Sequence, residues 1–585
     1  MEGTWSRVRE PLWQRIAWPR WATVLLIWLA AFVVRLVLVG MDRVVWGDEP
    51  FYLWLGKNWV TGKGFAFVGH PDVHHGPLFP VLAGLLYLLT HDLALASEVL
   101  YLIFGSLLVW PVYALGEELY SRRAGLIAAA LVATLPGMTV SVLHWGTMTE
   151  PLYMFFVYLG LWAGLLLFRP WLRGSGEMSK EPPWWAYGVA GLSFGLAYLT
   201  RPEAIGYFAV VGGYLLLVRL LGKRLRERRF WLGLVFYLLA FGVAFLPYAY
   251  YVRVQTGSWM VSEKVGVAYL TGIGLAHGDT AAFDKATWGL DSTGLETFFF
   301  SPESYNVSML HLILDDPKTF AIVLYLNVQR FAKVLIDWTL FPYLLLPLVV
   351  LGLFDRGWTR ERTIGEVYLL LSILPVLGFV LFYIQARYIL PFAPVLLLWT
   401  GRGLLRLGDW LVGTVIELRT PEVSPAQGGR PYRRLSRPLR AALGALPTVL
   451  VLALLLMAYP QVLSSVTNVA SVRPAHKTVG QFLSQVIPSD SVIMCRYPAI
   501  AFYAQARWVP TPNASWPEVL RYARHKKVDY FVIDERELRY RPQFKDLVTG
   551  EHIPKELKRL YVFEEGGERL VVYQFIHTPS SGGQS

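Results

Sequence analysis

Eleven apolar runs, each near the roughly 20 residues needed to cross the hydrocarbon of a bilayer, constrain this chain more than any other feature. They lie at residues 22–41, 97–120, 124–143, 151–168, 184–200, 204–221, 230–251, 337–354, 364–384, 389–405 and 441–459. In lipid every backbone polar group must be satisfied internally, so such runs are read as helices. The expected class is therefore a polytopic α-helical membrane protein. Composition agrees, with 55% hydrophobic and only 16% charged residues, well beyond what a soluble core needs. Arg7, Arg9, Arg15 and Arg20 precede the first run. Its length and the lack of a small-residue cleavage site make it a retained helix, not a signal peptide.

A net charge of +12 suits nucleic acid, anionic lipid or cytoplasmic loops, and position decides between them. With the basic N-terminus (1–21) in the cytoplasm, alternate connections should carry Lys and Arg. They do: Arg122 and Arg123; Arg169, Arg173 and Lys180; Lys223, Arg224, Arg226, Arg228 and Arg229; Arg356, Arg360 and Arg362; and the run 402–440 fall on one side. The charge thus reports loop sidedness, and no nucleic-acid partner is expected.

Residues 77–90 are apolar but, at about 14 residues, short for a span, and counting them as one would turn Arg122 and Arg123 outward. They are read as a helix on the outer surface, beside a second at 51–60 whose Trp54 and Trp59 suit the headgroup zone. The transmembrane domain is then 22–459, with outer loops 42–96 and 252–336. From 460 to 585 the pattern becomes soluble: the run VIMC, the helix-like WPEVLRYARHKK, the run VDYFVIDE, then LYVFEE and ERLVVYQF about Gly566 and Gly567. Alternating strands and helices predict a small α/β domain, and an odd number of spans places it outside. The single cysteine, Cys495, excludes an internal disulfide framework and a thiolate metal site.

Ionisable groups near spans are costly and call for a functional hypothesis. Here they gather at the predicted outer ends: Asp48 and Glu49, His74 and His75, His144 and Glu150, Arg201 and Glu203, and Arg387. Displacing a phosphate from an anomeric carbon in one step needs a base for the acceptor hydroxyl and cations for the leaving phosphate. Asp48 can be the base, Glu49 and Glu150 can orient acceptor or sugar, and Arg387 and Arg201 can fork to phosphate oxygens. His74, His75 and His144 are candidate substrate contacts. Adjacent histidines are no zinc spacing, so no metal or other cofactor is assigned and a divalent ion stays open.

The segments WGDEPFYLWLGKNWVTGKG, HHGPLFPVLAGLLYLL, HWGTMTEPLYMFF, YLTRPEAIGYF and ARYILPFAP resemble the GT-C superfamily of membrane glycosyltransferases, in the branch of protein O-mannosyltransferases and lipid A aminoarabinose transferases. The likeness covers the membrane region and weakens after about residue 405. It implies an inverting enzyme with a polyprenyl or dolichyl phosphate sugar as donor, and a carboxylate of the Asp48–Glu49 pair as base or acceptor contact. Where aminoarabinose transferases have a lysine before the second surface helix, this chain has His75 and Gly76.

Plainer readings stand beside these. Asp48 and Glu49 precede Pro50, and Glu150 precedes Pro151, so each could cap or open a helix; Arg201 could pair locally with Glu203; Arg387 could snorkel. Arg35, inside the first span, is expected to reach the interface or a carboxylate. A lipid-linked glycan flippase or transporter, or oligosaccharyltransferase- or ligase-type transfer, remains open. Against transport, no internal repeat is evident and the polar residues collect at one face. No Walker A, no GxGxxG after a strand and no DxD occurs, so neither ATP nor a nucleotide sugar is implied.

Overall fold

The computed structural model describes residues 20–172, 182–223, 225–260, 264–306, 309–419, 435–467, 474–565 and 568–576. Arg7, Arg9, Arg15, Arg173, Lys180, Arg224, part of the basic run after Arg402 and the Gly566–Gly567 turn lie outside the described residues. The chain is mostly helical. Among the described residues, seven helices are long and apolar enough to cross a membrane: Trp21–Val39, Leu93–Leu119, Ala204–Leu221, Arg228–Thr256, Arg360–Leu381, Ala386–Leu418 and Arg437–Thr467. The first turns Leu25, Leu26, Leu29, Val33 and Leu36 outward and buries Ala31 and Leu38. An apolar stripe of that kind is matched to hydrocarbon and mismatched to water.

The other four expected spans are shorter or broken. Residues 124–143 form a helix Arg122–Thr134, a 3-10 turn Pro136–Met138 and a short helix Val140–His144. Leu135 is extended (ψ 121°), as a residue preceding proline tends to be. That break accounts for Arg35, which meets neither interface nor carboxylate. It is fully buried and donates through Nη1 to the Ala31 carbonyl and through Nη2 to the Met138 carbonyl, each at 3.2 Å. The interrupted helix frees a carbonyl, and the arginine takes it.

Connections assigned to one side by their basic residues meet one another. Arg169 pairs with Glu118 at 2.8 Å, Arg402 with Asp355 at 2.8 Å, and the Tyr120 hydroxyl donates to Glu366 at 2.9 Å. Connections assigned to the opposite side meet at the other end of the bundle, around Asp48 and Arg387. There the helices Glu49–Val60 and Leu78–Thr90 lie beside each other, with Leu88, Leu89 and Trp59 outward. Trp54 does not face outward. Its ring packs against Phe67 and Phe502, because the C-terminal domain rests on this helix.

The short hairpin strands β1 (Ala66–Phe67) and β2 (His70–Pro71) belong to the same loop. In the C-terminal domain the strands are β3 (Val492–Met494), β4 (Arg507–Val509), β5 (Tyr530–Asp534), β6 (Leu557–Glu565) and β7 (Glu568–Phe575), ordered β4-β3-β5-β7-β6. β4, β3 and β5 are parallel, while β7 is antiparallel to β5 and β6. Every residue of β5 is buried, as expected for a strand covered on both faces. The helix Trp516–His525 opens with a Ser515–Glu518 capping box. Within this domain the strand absent from the sequence reading is β4, three residues long and too short for periodicity to register. The domain docks through Phe51 against Trp508, ring centroids 5.0 Å apart, and through the Val45 amide donating to the Tyr503 hydroxyl at 2.8 Å.

Candidate active site

Two glycine-bearing turns place Asp48. The Glu49 amide donates to the Gly146 carbonyl at 2.9 Å, and Trp46 Nε1 donates to the His144 carbonyl at 3.0 Å. Gly47 and Gly146 have φ of +64° and +72°, and a β-carbon on either would lie 2.8 Å from a carbonyl oxygen of the other turn. Both the backbone conformation and the close approach require glycine. Locked in this way, Asp48 stands at the N-cap of the helix Glu49–Val60 yet makes no side-chain capping bond. Its Oδ2 accepts instead from Arg387 Nη1 at 3.0 Å. Arg387 is itself held by Nε donating to Gln385 at 2.7 Å and Nη2 donating to the Tyr388 hydroxyl at 3.3 Å.

Behind this pair lies a second one. Glu150 is fully buried at the start of the helix Glu150–Leu166 and accepts from Arg201 Nη1 at 2.9 Å and from the Thr147 hydroxyl. Arg201 also donates from Nε to Glu203 at 2.5 Å. The Arg201 and Arg387 guanidinium carbons lie 5.5 and 5.2 Å from the Tyr388 ring centroid, so one electron-rich ring serves both cations. Local pairing of Arg201 with Glu203 and its approach to Glu150 therefore coexist.

Asp48 and Arg387 line a cavity of about 520 Å³. Glu49, Glu150, Arg201, His74, His75 and His144 do not line it. Glu49 is fully buried and takes both terminal nitrogens of Arg43 at 2.9 Å, plus the Ser97 hydroxyl at 2.7 Å. Burial works against the Arg43 charge, but Glu49 and Glu98 more than offset it. The backbone amides of His74 and His75 and the His75 ring donate to Asp72. Burial would raise that carboxyl, but the His75 charge and hydrogen bond, with His74 adding, bring it down to about 2. His144 is pushed down to about 4 by burial and by the Arg43 charge, so it is a neutral imidazole near pH 7.

The remaining cavity wall was not visible in the sequence. Asp284 comes from the connection 252–336, and His476, Arg496, Tyr497 and Tyr540 come from the C-terminal domain. Only tertiary folding joins positions so far apart. Gln385, two residues from Arg387 in the same QAR segment, was within reach of sequence reasoning. Among the described residues no three His, Cys, Asp or Glu side chains are grouped as a metal ion would require.

Residues 74–248 match the family described as dolichyl-phosphate-mannose-protein mannosyltransferase. The rice (Oryza sativa subsp. japonica) dolichyl-diphosphooligosaccharide–protein glycosyltransferase subunit STT3B is 30% identical over 225 residues, 34% of this chain and 28% of the rice protein. The chain thus spans well under half the length of that curated relative. The archaeal oligosaccharyltransferase AglB from Archaeoglobus fulgidus, solved with an inhibitory peptide and dolichol-phosphate, superposes with a TM-score of 0.57 at 15% identity. That match covers 98% of this chain and 75% of AglB. ArnT from Cupriavidus metallidurans, bound to undecaprenyl phosphate, superposes with a TM-score of 0.56 at 15% identity, covering 96% and 99% of the two chains. At such identities the superpositions speak to fold, and the fold agrees with the segments quoted above. The chain is a multi-pass membrane protein that shares the fold of these membrane glycosyltransferases and, over residues 74–248, resembles the mannosyltransferase family.

Proposed function

We propose that the chain transfers a sugar from a polyprenyl or dolichyl phosphate carrier to an acceptor hydroxyl at the outer face of the membrane, with inversion at the anomeric carbon. The observation that carries this reading is the Asp48–Arg387 contact at 3.0 Å in the cavity wall, with the Asp48 carboxylate withheld from the capping bond its position offers. In the proposed step Asp48 takes the hydroxyl proton and the hydroxyl oxygen bonds to the anomeric carbon. The bond from that carbon to the carrier phosphate breaks, and the phosphate leaves with the electron pair. Arg387 presents a fork to the phosphate oxygens, while Arg201 adds positive potential from behind Tyr388. Glu150 and Glu49 act as positioning residues for Arg201 and for the start of the Asp48 helix. Dolichol-phosphate in the AglB structure and undecaprenyl phosphate in the ArnT structure are the carrier chemistry this arrangement suits.

The outer placement follows from the basic connections and carries the domain division with it: 22–459 in the membrane, with loops 42–96 and 252–336 and the domain 460–585 outside. The test is to incubate purified protein with radiolabelled polyprenyl-phosphate sugars and measure freed carrier phosphate and labelled acceptor. Release with acceptor labelling supports transfer. No release across several sugars favours transport, and release only from a diphosphate-linked oligosaccharide favours oligosaccharyltransferase-type transfer. Arg387→Ala is expected to raise the KM for donor by about tenfold or more, the order of a lost charge-assisted hydrogen bond, with little change in melting. An unchanged donor KM removes Arg387 from the phosphate site.

A further inference from the structure

The cavity that Arg387 lines holds a second guanidinium in its wall. Arg496 follows β3 in the soluble domain, and its side chain is 14% exposed. Its Nε donates to Asp284 Oδ1 at 2.7 Å. The guanidinium carbon lies 4.7 Å from the Tyr497 ring centroid and 4.9 Å from that of Tyr540, so the cation packs against two tyrosines. Among the described residues, neither terminal nitrogen of Arg496 has a hydrogen-bond partner. Asp284 cannot supply one, since its Oδ2 is taken by Arg541 Nε at 3.0 Å and Asn513 Nδ2 at 2.9 Å. It is an anchor shared by two arginines, and it neutralises Arg496 only in part. Partial burial, an anchored Nε and terminal donors without partners on a residue that lines a cavity are the features of a preformed receptor for a bidentate anion.

Position decides whose anion this is. A donor phosphate attached to a lipid tail approaches from the membrane side, where Arg387 begins the helix running into the bilayer. Arg496 belongs to the soluble domain, on the side from which a water-borne or headgroup acceptor comes. Building on the transfer reading above, we infer that Arg496 is a specificity-determining residue that binds a phosphoryl or carboxylate group of the acceptor. The acceptor hydroxyl is thereby directed toward Asp48.

The test separates this inference from the transfer reading by using no donor. Full-length detergent-solubilised protein is treated with phenylglyoxal, and modification of Arg496 is followed by mass spectrometry in the presence of glucose 6-phosphate, glucuronate or methyl glucoside. The two anions are expected to protect Arg496 about tenfold or more, and methyl glucoside hardly at all. In parallel, glucose 6-phosphate is titrated by tryptophan fluorescence, since Trp46 and Trp145 line the same cavity. Arg496→Gln is expected to weaken that binding about tenfold. Modification that is equal with and without the anions, an Arg496 that is never modified, or equal protection by methyl glucoside overturns the inference. The labelling arm needs no variant, so it decides even if Arg496→Gln folds poorly. Failure of donor release in the transfer assay, with this protection intact, would sink the transfer reading and leave the anion receptor standing.

Discussion

Asp48→Asn is expected to lower transfer by about 10²- to 10⁴-fold, the span associated with loss of a general base, while the melting temperature barely moves. The two halves of that expectation have separate grounds. Asparagine keeps the shape and can still accept from Arg387, but it cannot take a proton from a hydroxyl. On stability, the Asp48 side chain is 36% exposed and makes no capping bond, so its ion pair is worth about 0–1 kcal/mol after solvent screening. Measuring turnover and thermal melting on the same purified preparation checks both. Turnover near that of the wild type removes Asp48 as the base. A folded but inactive variant with unchanged donor KM locates the loss in the chemical step.

Why this pair was legible while others were not is a matter of range. Asp48 and Arg387 are 339 positions apart, yet both abut spans, and the basic loops alone assign their ends of the bundle to one side. A bilayer reduces the search to two surfaces, so juxtaposition at a surface can be reasoned from topology. The same logic cannot see sideways within a surface. It grouped Glu49, His74, His75 and His144 with Asp48, whereas helix geometry turns Glu49 about 100° from its neighbour and into Arg43, and Asp72 gathers the two histidines. Arg43 lay six residues from Glu49, in plain view, but two loop residues in sequence carry no period that would pair them. The broken span at 124–143 had its signal in Pro136. Arg496 and Asp284 had none, because a soluble domain's docking angle is set by packing such as Phe51 on Trp508, not by any local pattern.

Arg43→Ala is expected to cost about 3–5 kcal/mol, the loss typical when one partner of a buried ion pair is removed. No solvent discount applies, because the Arg43 and Glu49 side chains are 4% and 0% exposed. Without the guanidinium, Glu49 keeps the Ser97 hydroxyl alone among the partners named above, and Glu98 also loses its contact with Arg43 Nε at 2.7 Å. The start of the Asp48 helix should loosen, with a lower melting temperature in detergent and lower activity. Replacing both partners by apolar residues, Arg43→Met with Glu49→Leu, removes the stranded charge and should recover much of the stability. That double variant also separates two roles for Glu49. Activity that returns with the fold makes Glu49 a positioning residue, acting only through the backbone that carries Asp48. A double variant that melts like the wild type yet stays inactive would instead require the Glu49 carboxylate at the reacting atoms.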